Sequence, residues 1–400
     1  MTRNILLFFV LLSTVHIAYS QDNYNEVTLV QLMQKVKQTD KGYIILDVRS
    51  SGEYMDTVQG GKHLGIGRIK SAINVPIQDL LQKPETVKKL EKYKDEEIYV
   101  ICSHSYRSRR ISNLLLSNGF THVNNVQGGM TEWYRNYQEL ETYRAGLYEN
   151  NILYHNMAPA ELFKKLKANE PVEIIGLKNP PRFFFDTLVS PLYQVFPDFK
   201  TVQYYKTADS LQLLEKAKAG KNKTYVIFST IGGGGDLTAD WLAHKGYNAN
   251  YLVGNLTGFF EYMVNYQPAE FNKIMQSKSK IEFFTPLSFC KASPKNVQWV
   301  DIRHDTTFNK VTDGTKIDYK TLKGAINFPF YKSADEFTKQ FPDKSKLYML
   351  IPQDGYMGAE LADELTKRGY RIGWLFGGIE RWEWYTNNIV EFTCRDQFIK

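Results

Sequence analysis

The sequence predicts an α/β protein built from three tandem domains, each a central parallel sheet flanked by helices. Two observations carry this prediction. Short apolar runs bounded by Gly or polar turns alternate with helical patterns, which is typical of parallel sheets covered on both faces. The same order of runs also recurs three times along the 400 residues, and a recurrence of this kind defines the domain unit.

The downstream half of each repeat is a strand, one residue at its end, and a helix that terminates in a Gly-aromatic pair. The residue after the strand and the terminal glycine are 17 positions apart in all three copies, which are Cys102 to Gly119, Ser229 to Gly246 and Pro352 to Gly369. Ser229 and Pro352 are therefore the equivalents of Cys102. Neither copy is expected to be active, because Pro cannot act as a nucleophile and Ser229 has no neighbouring base in the sequence.

The upstream halves of the first and third repeats also agree. Residues 44–49 match residues 297–303, and both segments contain an Asp-x-Arg element. We assign Asp47 and Arg49 a supporting role at the site. Asp301 and Arg303 are expected to form an internal ion pair or hydrogen-bonding element, while the second repeat has lost the motif.

Each repeat begins with a plausible helix start. Thr28 with Gln31 forms a capping box, Pro159 follows Ala158, and Thr285 precedes Pro286 at the first helical position. These starts predict domains at residues 21–150, 151–278 and 279–400.

Residues 1–20 have the pattern of a secretory signal peptide. A basic start is followed by an apolar run from Ile5 to Val15 and by small residues up to Ser20. We expect cleavage near Ser20 and a secreted or periplasmic protein without stable membrane insertion. The alternative is an uncleaved N-terminal anchor.

Composition excludes several classes of function. The net charge of +7 is spread along the chain, which favours a solvated basic surface with mild attraction for small anions over a nucleic-acid site. Three cysteines are too few for a disulfide scaffold, and the sequence leaves open whether Cys290 and Cys394 are bonded or are inert buried thiols. No His or Cys spacing suits a metal, so neither a metal nor a cofactor is expected.

The segment that follows the strand of the first repeat carries the predicted chemistry. Cys102 is the catalytic nucleophile, at the strand edge where open α/β sheets place ligands. The residues assigned to substrate binding are Ser103, His104, Ser105, Tyr106 and Arg107. Backbone N–H groups and the dipole of a helix expected to begin near Arg109 favour a thiolate, and the Arg107 guanidinium can hold two oxyanion oxygens at once. His104 is expected at the solvent-exposed rim.

These elements resemble the rhodanese family of sulfurtransferases over nearly the whole chain after residue 20. The first repeat has the family's elements in order, which are Leu46–Arg49, Glu53–Tyr54, Gly67–Pro76, the Cys102 loop and the Gly128–Trp133 turn. The resemblance implies that Cys102 accepts a sulfane sulfur from thiosulfate or a persulfide and passes it to a thiol or cyanide. Ser105 departs from the family, which has Gly at that position.

Two other functions stay open. The first is a non-turnover sulfur carrier or docking protein with a dedicated protein acceptor, which two inactive repeats would suit. The second is an arsenate reductase or a phosphatase. Cysteine phosphatases that share the fold use Cys-x5-Arg, whereas Cys102 and Arg107 form Cys-x4-Arg, and this shorter loop favours sulfur.

Overall fold

The computed structural model describes residues 24–38, 42–57, 65–178, 200–203, 220–229, 234–274, 280–305, 321–352, 358–389 and 392–399. The signal peptide predicted at residues 1–20 lies outside this part of the chain. Among the described helices, none is both long and apolar enough to cross a membrane.

The first region runs from residue 24 to residue 150. Its elements are β1 (Asn25–Thr28), α1 (Leu29–Gln38), β2 (Tyr43–Asp47), α2 (Ser51–Tyr54), β3 (Arg68–Ile69), β4 (Ile73–Asn74), α3 (Ile77–Gln82), α4 (Pro84–Lys89), β5 (Glu97–Ile101), α5 (Tyr106–Ser117), β6 (Val123–Gln127), α6 (Glu132–Arg135), α7 (Tyr137–Leu147) and β7 (Tyr148–Glu149). Five of these strands form a parallel sheet in the order β1-β6-β5-β2-β4, and β3 pairs with β7 in an antiparallel ribbon.

The central strand β5 is buried on both faces, because successive side chains of a strand point to opposite sides. Ile98 and Val100 pack in the cluster that contains α3 and α5 residues, whereas Tyr99 and Ile101 pack in the cluster that contains α1 residues. The run therefore lacks the alternation of a half-exposed strand, and Cys102 directly follows it.

The second region repeats this sheet. Its elements are β8 (His155–Met157), α8 (Pro159–Lys167), β9 (Val172–Lys178), β10 (Lys200–Gln203), β11 (Thr224–Ser229), α9 (Gly235–His244), β12 (Asn248–Leu252), α10 (Asn255–Tyr266) and α11 (Pro268–Ile274). The sheet order is β8-β12-β11-β9-β10, with all pairs parallel.

The third region follows the same plan. Its elements are β13 (Glu282–Phe284), α12 (Pro286–Ala292), β14 (Val297–Asp301), β15 (Thr321–Leu322), β16 (Ile326–Asn327), α13 (Ala334–Gln340), β17 (Leu347–Ile351), α14 (Ala359–Lys367), β18 (Arg371–Leu375), α15 (Gly378–Asn388) and β19 (Phe398–Ile399). Its parallel sheet has the order β13-β18-β17-β14-β16, and β15 pairs with β19 in an antiparallel ribbon.

The predicted α/β class, with parallel sheets flanked by helices, is confirmed. The first strand of each region lies at one edge of its sheet. The central strands are β5, which precedes Cys102, β11, which ends at Ser229, and β17, which precedes Pro352. The predicted helix starts are also present, since α8 begins at Pro159 and α12 begins at Pro286 beneath a Thr285 capping box. The division into three domains at the stated boundaries stays a prediction.

The three regions share their apolar cores. One buried cluster joins Leu32 and Tyr99 of the first region to Tyr225 of the second, and another joins residues of the second and third. Phe260 of α10 stacks on Phe376, with ring centroids 4.0 Å apart. The regions are consequently packed against one another by buried aromatic surface.

Cys290 and Cys394 form a disulfide, which settles the question that the sequence left open. The bond ties α12 to the segment before β19, across a sequence separation of 104 residues. Cys102 is a free, buried thiol.

Candidate active site

The Cys102 sulfur lies at the carboxyl end of the central strand, directly before helix α5. The Ser105 N–H donates to Cys102 Sγ at 3.1 Å, and Sγ lies 3.5 Å from Ser108 Oγ. Cys102 is 1% exposed. A backbone donor and a helix N-terminus both favour an anionic group at this position.

Helix α5 begins at Tyr106, three residues before the predicted start near Arg109. The prediction was wrong because it treated Tyr106 and Arg107 as loop residues, whereas the turn is already complete at Ser105. The first N–H groups of a helix have no intrahelical acceptor, and they are available to an anion beside Cys102. Tyr106 is 79% exposed and points its ring away from the core.

Ser105 occupies the position where the rhodanese family has Gly, and its backbone explains that preference. It has φ = +89°, in the left-handed region that is costly for a residue with a Cβ. Its buried side chain compensates, since Ser105 Oγ accepts the Gly128 N–H at 2.6 Å. Ser105 therefore adopts the same turn that glycine would allow, and its side chain adds a hydrogen bond to the residue after β6.

The Gly128–Gly129 turn packs directly on the cysteine loop. A Cβ at Gly129 would clash with the Cys102 carbonyl oxygen, so no other residue fits there without moving the backbone. That carbonyl accepts the Met130 N–H at 2.8 Å, and the Ser103 carbonyl accepts the Thr131 N–H at 3.2 Å. The Gly128–Trp133 motif is visible in the sequence, but its role in holding the cysteine loop follows only from these contacts.

Arg107, predicted to hold substrate oxygens, holds a carboxylate of the protein itself. Its two terminal nitrogens donate to the two Glu53 oxygens at 2.6 and 2.7 Å, and one of them also donates to Ser103 Oγ at 2.9 Å. Burial raises the pKa of Glu53, but the hydrogen bond and charge of Arg107 outweigh it and set the value at about 2. A substrate anion would have to share or displace this pair.

Glu53 had no assigned role in the sequence analysis, although the signal for its placement was present. Ser50 and Glu53 form a capping box at the start of α2, in which the Ser50 N–H donates to Glu53 Oε2 at 3.1 Å. The capping box orients the carboxylate toward Arg107, which lies 54 positions further along the chain.

His104 is exposed at the edge of the loop, and its Nδ1 lies 2.9 Å from Ser103 Oγ. Although part of the ring is exposed, neighbouring protein removes water from the rest of it, and this desolvation, followed by the charges of Arg135, Arg107 and Arg381, lowers the pKa of His104 to about 4. The imidazole is consequently neutral at pH 7, and two of the cations that surround it come from outside the loop.

Asp47 and Arg49 form a fully buried ion pair behind the site. The Arg49 Nη2 donates to Asp47 Oδ2 at 2.7 Å and to the Gly67 carbonyl at 2.8 Å. The Asn74 side chain donates to the carbonyls of both residues.

The third region contains the same arrangement in Asp301, Arg303 and Asn327. Asp301 and Arg303 thus form the ion pair expected from the sequence. Because the pair recurs in a region without a cysteine at the strand end, its contribution is structural.

The positive charge of Arg109, on helix α5, is largely neutralised by a carboxylate. Its Nε donates to Glu26 Oε1 at 2.9 Å, and the Asn125 side chain donates to the other Glu26 oxygen at 2.7 Å. Within the described residues, no group of three or more His, Cys, Asp or Glu side chains is placed to hold a metal ion.

The structure brings the predicted site residues 102–107 together at one strand end, with Asp47 and Arg49 behind them. Ser229 ends β11 and Pro352 follows β17, but the loops at residues 230–233 and 353–357 lie outside the described residues. The catalytic and binding roles assigned to these residues stay predictions.

Comparisons with known proteins concern this first region. The family profile described as "Rhodanese-like domain" matches residues 28–136. The putative sulfurtransferase YtwF of Bacillus subtilis (strain 168) is 31% identical over 108 residues, which are 27% of this chain and 88% of YtwF.

Two further proteins of the same organism are similar. The putative sulfur carrier protein YrkF is 29% identical over 119 residues, which are 30% of this chain and 55% of YrkF. The uncharacterized protein YqhL is 32% identical over 89 residues, which are 22% of this chain and 59% of YqhL. The matches to YrkF and YqhL each span less than two thirds of the relative's length.

Proposed function

The chain belongs to the rhodanese-like family, and from this premise we propose that it is a sulfurtransferase that carries a sulfane sulfur as a persulfide on Cys102. The donor is thiosulfate or a persulfide, and the acceptor is a thiol or cyanide. The observation that carries the proposal is the position of Cys102 Sγ, which accepts the Ser105 N–H at the N-terminal end of α5.

The first half-reaction loads the cysteine. The Cys102 thiolate attacks the outer sulfur of thiosulfate, a new S–S bond forms, and the old S–S bond breaks with its electron pair leaving on sulfite. The N–H groups at the start of α5 stabilise the negative charge that the persulfide retains. Arg107 supplies a fixed cation beside the donor while Glu53 keeps its guanidinium in place.

The second half-reaction unloads the sulfur. An acceptor thiolate or cyanide attacks the outer persulfide sulfur, and the Cys102 thiolate leaves with the electron pair of the broken S–S bond. No external oxidant is needed, because the S–S bond to Cys102 is replaced by an S–S bond to the thiol or by an S–C bond to cyanide. A thiol acceptor releases its proton to water before it attacks.

A sulfur carrier without turnover is the second candidate, and two observations favour it. Cys102 is almost fully buried, which restricts approach of a free acceptor. Arg107 is already paired with Glu53 and is less free to recruit an anionic donor. The similarity to the putative sulfur carrier YrkF agrees with this alternative.

The test is thiosulfate-to-cyanide sulfur transfer by the protein beside its Cys102→Ala variant, with intact mass after thiosulfate treatment. A Cys290→Ser/Cys394→Ser variant is the matched control, because Cys102 is then the one remaining thiol. We expect thiocyanate production and a cyanide-removable gain of one sulfur atom in the protein and the control, and neither in Cys102→Ala.

Other outcomes discriminate the alternatives. Sulfur loading without thiocyanate production would support the carrier. The absence of both would refute sulfur chemistry, and turnover of arsenate or an aryl phosphate would then support an oxyanion reductase or a phosphatase.

We also propose that the protein is exported and acts in the periplasm or outside the cell. The signal-peptide pattern of residues 1–20 supports export, and the Cys290–Cys394 disulfide suits an oxidising compartment. Intact mass of the protein recovered from a periplasmic extract should correspond to a chain that starts near residue 21. Recovery of the uncut chain from the cytoplasm would refute this proposal.

The second and third regions are proposed to be inactive repeats that complete the surroundings of the first. Support comes from Ser229 and Pro352 at the cysteine position and from the cores that the regions share.

A further inference from the structure

A cavity of about 220 Å³ lies where the three regions meet. Its wall includes Thr131 and Arg135 from the first region, Glu261 and Tyr262 from the second, and Arg381 from the third. No single region could form it, so its existence depends on the packing of the two inactive repeats against the active one.

The cavity adjoins the cysteine loop. Thr131 lines the cavity, and its N–H donates to the Ser103 carbonyl at 3.2 Å, one residue from Cys102. His104, at the exposed edge of the same loop, is close enough to Arg135 and Arg381 for both charges to lower its pKa. A persulfide places its outer sulfur about 2 Å beyond Cys102 Sγ.

The charges in the cavity are unequally paired. Both Glu261 oxygens accept hydrogen bonds from Arg381, so that cation is neutralised by a buried carboxylate. Arg135 lies 3.5 Å from Glu132 Oε1, at the limit of a hydrogen bond, while Glu132 Oε2 accepts the Asn136 side chain at 2.7 Å. Of these two arginines, Arg135 is therefore the one whose N–H groups are less fully used in hydrogen bonds.

Arg135 is also held in place. Its guanidinium carbon lies 3.8 Å from the centroid of the Trp384 ring, on which it stacks. Stacking occupies the face of the guanidinium, while its edge makes, within the described part of the chain, only the 3.5 Å contact with Glu132. Such an edge can bind a carboxylate through two parallel hydrogen bonds. The remaining wall is largely aromatic and apolar, with Tyr262, Tyr385 and Leu287 contributing.

We propose that this cavity binds the sulfur acceptor, and that the acceptor is a small thiol with a carboxylate, which Arg135 holds while the thiol faces the Cys102 persulfide. The inference rests on the proposed sulfurtransferase function and adds its acceptor class. The acceptor thiolate attacks the outer persulfide sulfur, forming its own S–S bond, and Cys102 leaves as a thiolate with the electron pair of the bond that breaks. Atoms and charge balance, because the acceptor persulfide keeps the transferred sulfur and one negative charge.

The experiment compares two matched acceptors, 3-mercaptopropionate and the neutral 3-mercaptopropanol. The full chain is loaded with sulfur from thiosulfate, and intact mass follows loss of that sulfur over a range of thiol concentrations. We expect the carboxylate thiol to half-saturate the rate at lower concentration. An Arg135→Met variant should raise that half-saturating concentration about 10- to 100-fold, the range for loss of one charged hydrogen bond, and leave 3-mercaptopropanol and cyanide unaffected.

Two further variants separate recognition from structure. Arg110→Met removes an exposed charge from α5, outside the cavity wall, and should change neither thiol. Arg135→Lys keeps the charge without the planar guanidinium and should restore part of the preference. Equal half-saturation by both thiols, or an Arg135→Met effect of equal size on both, would overturn the inference while leaving the Cys102 persulfide intact. Failure of Cys102 to load sulfur at all would instead overturn the proposed function and the inference together.

Discussion

The strained Ser105 beside Cys102 gives a prediction whose parts can be measured separately. In a Ser105→Ala variant the left-handed backbone is unchanged, but the Gly128 N–H loses its buried acceptor. Leaving a buried donor unsatisfied costs about 1 to 3 kcal/mol, so we expect the local opening free energy of this turn to fall by about 2 kcal/mol. A Ser105→Gly variant loses the same hydrogen bond but also removes the strain of the left-handed backbone. After the greater freedom of glycine in the open state is subtracted, this relief stabilises the turn by about 1 kcal/mol.

Amide hydrogen exchange read by mass spectrometry tests both values, because it reports local opening rather than unfolding of the whole chain. In the peptide that contains β6 and Gly128, exchange should accelerate about 30-fold in Ser105→Ala and about 5-fold in Ser105→Gly, since about 1.4 kcal/mol corresponds to a factor of ten. Ser117→Ala is the matched control, because Ser117 lies exposed on the same helix and donates only to the Leu114 carbonyl. Its exchange in this peptide should match that of the unmodified protein.

Two results would refute the reasoning. If Ser105→Gly exchanges as fast as Ser105→Ala, the positive φ stores no strain. If neither variant changes exchange, the contact between Ser105 Oγ and the Gly128 N–H contributes nothing to local stability.

Three further predictions concern charge and cross-linking. Because the pKa of Glu53 is lowered to about 2, its ion pair with Arg107 stabilises the fold above the unfolded pKa near 4.5, and this contribution, roughly 2 kcal/mol after discounting for solvent, is lost as pH falls toward 2. The difference in melting temperature between the protein and Glu53→Gln should therefore shrink from pH 5 to pH 3, and a constant difference would contradict the assignment. Asp301→Asn should destabilise the third region by about 3 to 5 kcal/mol, because it removes the negative charge of a buried ion pair, and an unchanged melting temperature would argue against that burial. Replacing Cys290 and Cys394 by serine should cost about 2 to 5 kcal/mol, as the bond closes a long loop, and the protein melted under reducing conditions should match the variant if this account is right.

Much of the fold was predictable from local patterns. The strand Tyr99–Ile101, the terminal Gly119, the capping box at Thr28 and the helix start at Thr285 and Pro286 depend on residues close in sequence, and the structure contains each of them. The repeat spacing by itself also predicts that Cys102 lies at a strand end. The cysteine is placed by the topology of a parallel sheet, which the alternation of strands and helices already implies.

The start of α5 was misplaced by three residues, because the sequence shows no sign that a serine takes a left-handed conformation. That conformation is stabilised by a hydrogen bond from Gly128, 23 positions away. Without this contact, Ser105 is an ordinary loop residue.

By itself, the sequence determined the α/β class, the repeated pattern and the position of Cys102 after a central strand, because each depends on residue types at short spacing. Tertiary structure alone decided that Glu53 forms an ion pair with Arg107, that Cys290 bonds to Cys394, and that residues of all three regions line a cavity beside the cysteine loop. Ion pairs, disulfides and cavities depend on distances between side chains that are far apart in the chain. Those distances are set by how the sheets pack on one another, and one sequence does not record them.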